Sequence, residues 1–262
     1  MNNKCLALAG LCSFATALAA DPDTRDWGGL GFALQAYGRR APGVIEWLGA
    51  LARRTGRRIS VRLVKGAYWD SEVKRAQERG LPSYPVYTRK VSTDVAYIAC
   101  ARALFAAAPA VYPQFATHNA HTIGAVLALR PDGARCEFQR LHGMGQLIYD
   151  EARRTIAGFP QVRVYAPVGE HADLLAYLVR RLLENGANTS FVNRFMDERV
   201  PVEELVRDPY AQLAATDPIA HPDIPLPPDL YGGARRNSRG ADFGETRVLS
   251  ALEAAATDRR AA

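Results

Sequence analysis

Residues 177–190 read YLVRRLLENGANTS and are the stretch from which the fold is worked out. Apolar residues recur here and just upstream at spacings of three and four, which places them on one side of a helix. They are Leu175, Leu178, Val179 and Leu182. The opposite side carries Tyr177, Arg180, Arg181 and Glu184. Gly186 follows and is typical of a C-terminal cap, so we expect a helix that packs one face and presents the other.

The polar face of this helix allows two interpretations. Most charged helix faces are simply solvated, and periodicity alone favours that interpretation. The alternative is a carboxylate clamp, because the adjacent guanidiniums of Arg180 and Arg181 offer forked donors that match a carboxylate. Tyr177, one turn earlier, could then wall off an apolar substrate.

Five segments with strand character precede this helix, at residues 30–37, 58–66, 111–117, 136–141 and 162–166. Helical patterns alternate with them. One helix opens at Pro42, one is capped by Ser92 and Thr93 after a polar loop, and two more cover residues 122–129 and 147–156. This alternation predicts parallel strands joined by right-handed crossovers.

Polar residues stand where the predicted strands end, at Lys65, His118, Asn119 and His142. In a (β/α)₈ barrel that edge carries the active site. A complete barrel has eight β/α units, and this chain supplies about five. We therefore predict an α/β fold, a partial (β/α)₈ TIM-type barrel with an extended C-terminal tail.

Composition sets few limits on function. The chain has 262 residues, 48% of them hydrophobic, and a net charge of +6, which suits anionic ligands or an acidic membrane surface. No basic block with interleaved aromatics indicates nucleic-acid binding in this chain. The four cysteines, Cys5, Cys12, Cys100 and Cys136, do not have zinc-site spacing, so we predict no metal.

The two ends of the chain differ from its middle. Residues 1–20 combine one lysine, an apolar run and an Ala-Leu-Ala sequence, which imitates a secretory signal or is a stray Ala-rich helix. Residues 219–242 are rich in Pro, Gly, Arg and Ser, which indicates an extended or flexible linker, and at most a short helix follows. We therefore divide the chain into residues 1–20, a barrel at 21–210 and a linker and tail at 211–262.

Three runs carry a resemblance to a known family. They are YLVRRLLENGANTSFVNR at 177–194, VRLVKGAYWD at 61–70 and FATHN at 115–119. Together they resemble the C-terminal part of the barrel in the proline dehydrogenase domain of bacterial bifunctional proline utilization A flavoenzymes. The resemblance covers residues 26–231 and implies FAD-dependent oxidation of L-proline to 1-pyrroline-5-carboxylate, with a membrane quinone as electron acceptor. It also implies a cytoplasmic protein, or one peripheral at the inner membrane.

The same resemblance assigns roles to individual residues. It implies that Arg62 lies near flavin N5, where a guanidinium favours the charge gained on reduction. The substrate-binding residues would be Tyr165, Tyr177, Arg180 and Arg181. The cofactor-binding residues would be Gln35, Arg62, Val64, Gly66, Ala67, Tyr68, Trp69, Thr88, His118, Asn119, Glu184 and Ser190. Taken singly, Trp69 and the two tyrosines are more often structural, and Gln35 is only a polar group that needs a partner.

The resemblance has departures as well. The family's first three barrel strands, which bring a substrate-side lysine and an aspartate over the flavin, have no counterpart in these residues. We therefore expect weak or no turnover unless a partner chain supplies those strands. One alternative is a non-catalytic remnant or half-barrel that needs a partner. The other is a secreted small-molecule-binding protein, which follows if the N-terminal apolar run is a genuine secretory signal.

Overall fold

The computed structural model describes residues 8–24, 26–186, 197, 199–241 and 246–261. The helices are α1 (Leu8–Ala20), α2 (Ala41–Thr55), α3 (Trp69–Glu78), α4 (Lys90–Ala106), α5 (Ala120–Leu129), α6 (Gln146–Thr155), α7 (His171–Gly186), α8 (Val202–Leu205), α9 (Pro209–Ala214) and α10 (Thr246–Ala261). The strands are β1 (Gly31–Gln35), β2 (Ile59–Val64), β3 (Val111–Ala116), β4 (Glu137–Leu141) and β5 (Gln161–Tyr165). Short 3₁₀ turns lie at Pro22–Thr24, Pro227–Asp229 and Gly232–Ala234.

The five strands form one parallel sheet in the order β1-β2-β3-β4-β5. Each strand therefore pairs with its successor in the chain, as in a barrel wall. The registers bring Gln35 beside Val64 and Leu141 beside Tyr165, so that the carboxyl ends of the strands share one edge. The predicted α/β fold with about five parallel β/α units is confirmed.

The sheet has one apolar and one polar face. Burial alternates along β2, where Ile59, Val61 and Leu63 are fully buried against the helices. On that side the rings of Phe115 and Phe138 lie 6.0 Å apart in the main core. The opposite face carries polar side chains, among them Arg62, so the period of two separates the core from the concave side.

Helix α3 corrects the sequence prediction, which made residues 67–91 a loop. The sequence WDSEVKRAQE is mostly charged, and it buries few apolar side chains, chiefly Val73 and Ala76. Too narrow an apolar stripe remains for periodicity to detect. The predicted caps of the next helix were also wrong. Helix α4 begins at Lys90, and Ser92 and Thr93 are buried inside it.

Part of the segment predicted as an extended or flexible linker packs against the rest of the fold. Residues 217–240, which we call the strap, run back along α3 and the loop that follows it. Ile224 of the strap packs on a small second core that includes Tyr37 and Tyr84. At the end of the chain α10 has 16 residues, longer than predicted.

At the other end of the chain, α1 joins the main core. Ala15 and Ala19 are buried, at 0% and 4% exposure, among core residues that include Ile45 and Leu48 of α2. Arg57 closes the end of α1 by donating to the carbonyls of Leu18 at 3.3 Å and Ala19 at 3.4 Å. None of the described helices combines the length and the hydrophobicity that crossing a membrane requires.

We predict that Arg57→Ala lowers the free energy of unfolding by about 2 kcal/mol, because charge-assisted hydrogen bonds to helix-end carbonyls are lost. The Arg57 guanidinium also donates to the carbonyls of Thr24 at 2.5 Å and Trp27 at 2.9 Å. One side chain therefore joins the end of α1 and the segment before β1 to the end of α2. Urea unfolding measures the change. Arg54→Ala, at an exposed site in the last turn of α2, is the control and should leave the midpoint unchanged.

Candidate active site

The carboxyl edge of the sheet gathers the residues singled out in the sequence. Parallel strands place their C-terminal ends together, and this edge is where α/β barrels hold their active sites. Here the edge receives Gln35 from β1, Arg62 from β2, the segment 117–119 after β3 and Tyr165 from β5.

Two buried polar atoms at this edge have no hydrogen-bond partner within the described residues. They are Nε of Arg62 and Oε1 of Gln35. Ala33 is the register partner of Arg62, and Gln35 lies two residues further along β1, so both side chains belong to the same face of the sheet. Because an unsatisfied buried polar group is costly, such atoms mark places where a ligand can supply the missing partner.

The Arg62 guanidinium lies over the ring of Tyr165, with its Cζ 4.2 Å from the ring centroid. This contact spans from β2 to β5 across the concave face. Cation–π stacking fixes the plane of the guanidinium and leaves its N–H donors directed around the ring edge. The structure thus brings together one predicted cofactor residue and one predicted substrate residue.

The turn after β2 requires a glycine. Gly66 has φ +117°, and a Cβ at this position would lie 1.8 Å from the ring of Tyr37. Only glycine allows both the backbone conformation and the close approach of Tyr37. The turn sets the path of the backbone at Gly66, Ala67 and Tyr68, three of the predicted cofactor-binding residues.

Arg180 joins α7 to this turn. Its Nε donates to the carbonyl oxygen of Ala67 at 2.5 Å, and its Nη2 forms an ion pair with Asp70. Its Cζ lies 4.4 Å from the ring centroid of Tyr68. Asp70 is not among the residues predicted from the sequence to have a role. Its only signal was its position in the first turn of α3, a helix that the prediction lacked.

The second guanidinium of the pair stacks within its own helix. Cζ of Arg181 lies 5.1 Å from the ring centroid of Tyr177. Burial raises the pKa of Tyr177, as does Tyr165, while the positive charges of Arg181 and Arg62 oppose the rise. These couplings place the predicted substrate residues of β5 and α7 in one electrostatic environment with Arg62.

The apolar face of α7 departs from the prediction. Of the four residues expected to pack, Leu175, Leu178 and Val179 are 49%, 41% and 44% exposed, and the side chain of Leu182 lies outside the described residues. The edge strand β5 shows the same feature, with Val164 45% exposed. These side chains of α7 and of β5, the last strand of the sheet, thus remain exposed among the described residues.

His118 is neutral in its surroundings. Burial lowers the pKa of His118 to about 4, and the nearby charges of Arg140 and Arg181 contribute. Its Nε2 accepts a hydrogen bond from the Leu141 N–H at 3.0 Å, so the ring proton resides on Nδ1. The ring is thus a neutral donor held between β3 and β4. His142, for which sequence reasoning gave no firm role, is exposed.

Lys65 turns away from Arg62 towards α4. Its Nζ lies 2.5 Å from Oδ1 of Asp94, and Lys90 binds the other carboxylate oxygen at 3.1 Å. Burial lowers the pKa of Lys65, although Asp94 opposes this. Burial would raise the pKa of Asp94, but the two lysines outweigh it and hold the pKa below its usual value. Lys65 is thus a charge satisfied by a carboxylate.

Three of the remaining predicted residues, Trp69, Thr88 and Asn119, have structural partners. Trp69 Nε1 donates to the carbonyl of Tyr87 at 2.7 Å, and Thr88 Oγ1 accepts from the His221 N–H at 3.0 Å. Oδ1 of Asn119 caps α5 by accepting from the Thr122 N–H at 3.0 Å. Val64 is half-buried at the end of β2. The side chain of Glu184 and all of Ser190 lie outside the described residues.

Comparison with known proteins agrees with this geometry. Residues 8–194 match the sequence model of the family described as Proline dehydrogenase. The chain belongs to the proline dehydrogenase family. The match begins at Leu8, the first residue of α1, so it extends further towards the N-terminus than residues 26–231, where the resemblance was expected.

The relatives of this proline dehydrogenase family member are much longer proteins. The chain is 53% identical over 250 residues to Bifunctional protein PutA of Salmonella typhimurium, an alignment covering 91% of this chain and 19% of that protein. It is 49% identical over 240 residues to Bifunctional protein PutA of Rhizobium meliloti, covering 90% of this chain and 20% of the relative. The chain therefore spans about a fifth of the length of these relatives.

Solved structures show the same relation. A crystal structure of a Bradyrhizobium japonicum Proline Utilization A (PutA) mutant superimposes with a TM-score of 0.88 and 52% identity. The match covers 94% of this chain and 25% of that one. A second, described as bifunctional proline utilization A (PutA) protein, gives a TM-score of 0.86 and 53% identity over 92% of this chain and 24% of that one.

Proposed function

We propose that this chain contributes the carboxyl edge of an FAD-dependent active site that oxidises L-proline to 1-pyrroline-5-carboxylate. The observation that carries the proposal is the meeting of Arg62, Tyr165 and the α7 arginines at one edge of the sheet. Membership of the proline dehydrogenase family supports the choice of substrate.

The residues present fit a flavin. The unsatisfied Nε of Arg62 is a cationic donor and Oε1 of Gln35 an acceptor, and an isoalloxazine ring carries both acceptors and a donor along its edge. Gly66 leaves the backbone of the turn without side-chain bulk. His118, neutral with a proton on Nδ1, can donate to the ring system. When bound, FAD would supply the two-electron acceptor that the oxidation needs.

Arg180 and Arg181 would fix the carboxylate of proline. Two adjacent guanidiniums on one helix turn, with Arg180 contributing the donors that Ala67 and Asp70 do not take, orient a planar anion. This is a gain in positioning rather than covalent catalysis. Arg180 already binds Asp70 and the carbonyl of Ala67, so its guanidinium is held in place before any substrate arrives. Tyr165 and Tyr177 would flank the pyrrolidine ring of proline on its two sides.

A second candidate is a half-barrel that needs a partner chain. The exposure of Val164 on the edge strand β5, and of Leu175, Leu178 and Val179 on α7, favours it, because apolar side chains on an edge strand or along one helix face are normally covered. In this version the partner supplies the remaining barrel strands, and the electrons pass to a membrane quinone from a cytoplasmic enzyme at the inner membrane surface. The secreted binding protein has no comparable support, since α1 packs into the core.

The test is a titration of the purified chain with FAD and then with cyclopentanecarboxylate, a ring carboxylate that lacks the oxidisable nitrogen. We expect a bound, yellow flavin and a spectral change on adding the carboxylate. Arg181→Lys should lower the affinity for the carboxylate about tenfold and leave the affinity for FAD unchanged, because lysine keeps the positive charge but lacks the forked pair of donors.

Turnover separates the two candidates. Proline:dye reductase activity should be weak or absent for the chain alone and appear when a second chain carrying the missing strands is co-expressed. Robust turnover by the chain alone would contradict the need for a partner. Failure to bind both FAD and the carboxylate, alone and with that partner, would contradict the proposed function.

A further inference from the structure

The strap, residues 217–240, makes a continuous set of contacts with the loop 79–89. The His221 N–H donates to Oγ1 of Thr88 at 3.0 Å. The next side chain along the loop, Arg89, donates to the carbonyls of Pro218 at 3.1 Å and Ala220 at 3.3 Å. These bonds use the backbone of the strap, so they depend on its path more than on its side chains.

Further along, the strap reaches the start of the loop and α3. The Tyr84 hydroxyl donates to the carbonyl of Pro225 at 2.7 Å, and Nδ2 of Asn237 donates to the carbonyl of Gln77 at 2.8 Å. The two backbones then meet at a pair of glycines, where the Gly240 N–H donates to the carbonyl of Gly80 at 3.1 Å.

The glycine contact leaves no room for a side chain. A Cβ on Gly240 would lie 1.7 Å from the carbonyl oxygen of Arg79, and a Cβ on Gly80 would lie 1.6 Å from that of Ser238. A backbone atom cannot give way as a flexible side chain can. The strap and the loop are therefore fitted together at both ends of the loop.

The other side of the loop faces the candidate site. The Tyr87 N–H donates to the carbonyl of Tyr37 at 2.9 Å, and the ring of Tyr37 fills the space at Gly66. The carbonyl of Tyr87 accepts from Trp69, the first residue of α3. The loop is thus held between the strap on one side and the turn after β2 on the other.

We propose that the strap is a positioning element for the cofactor site. It fixes Thr88 and Trp69 through the loop 79–89, and a displaced strap lowers the affinity for FAD without altering any residue that contacts it. This inference rests on the proposed function for its ligand, while the fixing of the loop can be measured without any ligand.

Two matched pairs of variants in the full chain test it. His221→Pro removes the backbone N–H that binds Thr88, whereas His221→Ala keeps it. Gly240→Ala forces a Cβ against Arg79, whereas Gly233→Ala adds the same methyl group where nothing lies within 4 Å. Two quantities are measured: the rate of trypsin cleavage after Arg79 and Arg89, and the affinity for FAD. Cleavage after Arg89 requires its side chain to leave the carbonyls of the strap.

We expect His221→Pro and Gly240→Ala to accelerate these cleavages about tenfold and to lower the affinity for FAD about tenfold. The two control variants should show the cleavage rates and the FAD affinity of the unaltered chain. Unchanged cleavage and affinity in both test variants would overturn the proposal. Faster cleavage with unchanged FAD affinity would overturn it as well. If the unaltered chain binds neither FAD nor the carboxylate, alone and with the partner chain, while the cleavage rates change as expected, the proposed function fails and only the fixing of the loop stands.

Discussion

Replacing Arg62 with methionine is expected to lower the affinity of the chain for FAD about 100-fold. Methionine keeps an unbranched side chain of similar reach and removes the guanidinium. The loss combines the charge-assisted hydrogen bond that the buried, unsatisfied Nε would donate to the flavin with the fixed position that stacking on Tyr165 gives this donor. Together these contribute about 3 kcal/mol, which corresponds to the stated change in affinity.

A closely matched control lies at the opposite end of the same strand. Arg58 stacks on Tyr112 with its Cζ 5.1 Å from the ring centroid, immediately before β2 begins. Arg58→Met removes the same charge and the same kind of stacking at the amino edge of the sheet. Fluorescence quenching of FAD titrated into each variant gives the two affinities. Equal affinities for the Arg62 and Arg58 variants would show that the carboxyl edge is not the cofactor site.

The strands were predictable because the alternation of apolar and polar residues that indicates a strand lies within a few neighbouring residues. β2 alternates between buried and half-buried positions, and its end is marked by a lysine and a glycine. The placement of Arg62 and Tyr165 at one edge follows once the strands are parallel. Their direct contact, from the second strand to the fifth, depends on the curvature of the sheet and has no signal in spacing.

Elements stabilised by distant partners were not predictable in the same way. α3 carries a strongly polar sequence, and Arg180, which pairs with Asp70 in its first turn, lies 110 residues further along the chain. The strap reads as a linker because it is rich in proline and glycine, yet it is fixed by hydrogen bonds of its backbone, which leave no periodic pattern of side chains in the sequence. In the sequence Gly240 suggests a flexible segment, whereas in the fold its backbone packs tightly against the carbonyl of Arg79.

A network on the concave face of the sheet shows the same limitation. Glu137 begins β4 and its side chain is completely buried. Its Oε1 accepts from Gln114 of β3 at 2.9 Å and from Gln139 at 2.7 Å. Arg163 of β5 binds it with two donors, Nε to Oε1 and Nη2 to Oε2, each at 2.9 Å. One carboxylate thus joins three neighbouring strands.

Glu137→Ala is therefore expected to lower the free energy of unfolding by about 3 kcal/mol at pH 7, because it leaves two amides and a guanidinium without their shared acceptor. Burial would raise the pKa of Glu137, but the hydrogen bonds from Arg163 and Gln139 outweigh it and hold the pKa below its usual value. The unfolded chain then binds the proton more readily than the folded one, so this carboxylate stabilises the fold above its unfolded pKa, about 4.3. The stabilisation is lost as the pH falls through the lower, folded pKa.

Urea unfolding of the Glu137→Ala variant and of the unaltered chain at pH 7 and pH 3.5 should give a difference that narrows at the lower pH. Glu151→Ala removes a carboxylate that is also hydrogen-bonded to an arginine, Arg154 at 2.6 Å, but is exposed on α6. Solvent screens that pair, so its loss should leave the unfolding midpoint unchanged. Equal destabilisation by the two substitutions would mean that the concave-face network adds nothing beyond an ordinary surface ion pair. A difference for Glu137 that stays constant with pH would assign the effect to lost packing, because only the charged form is favoured by Arg163.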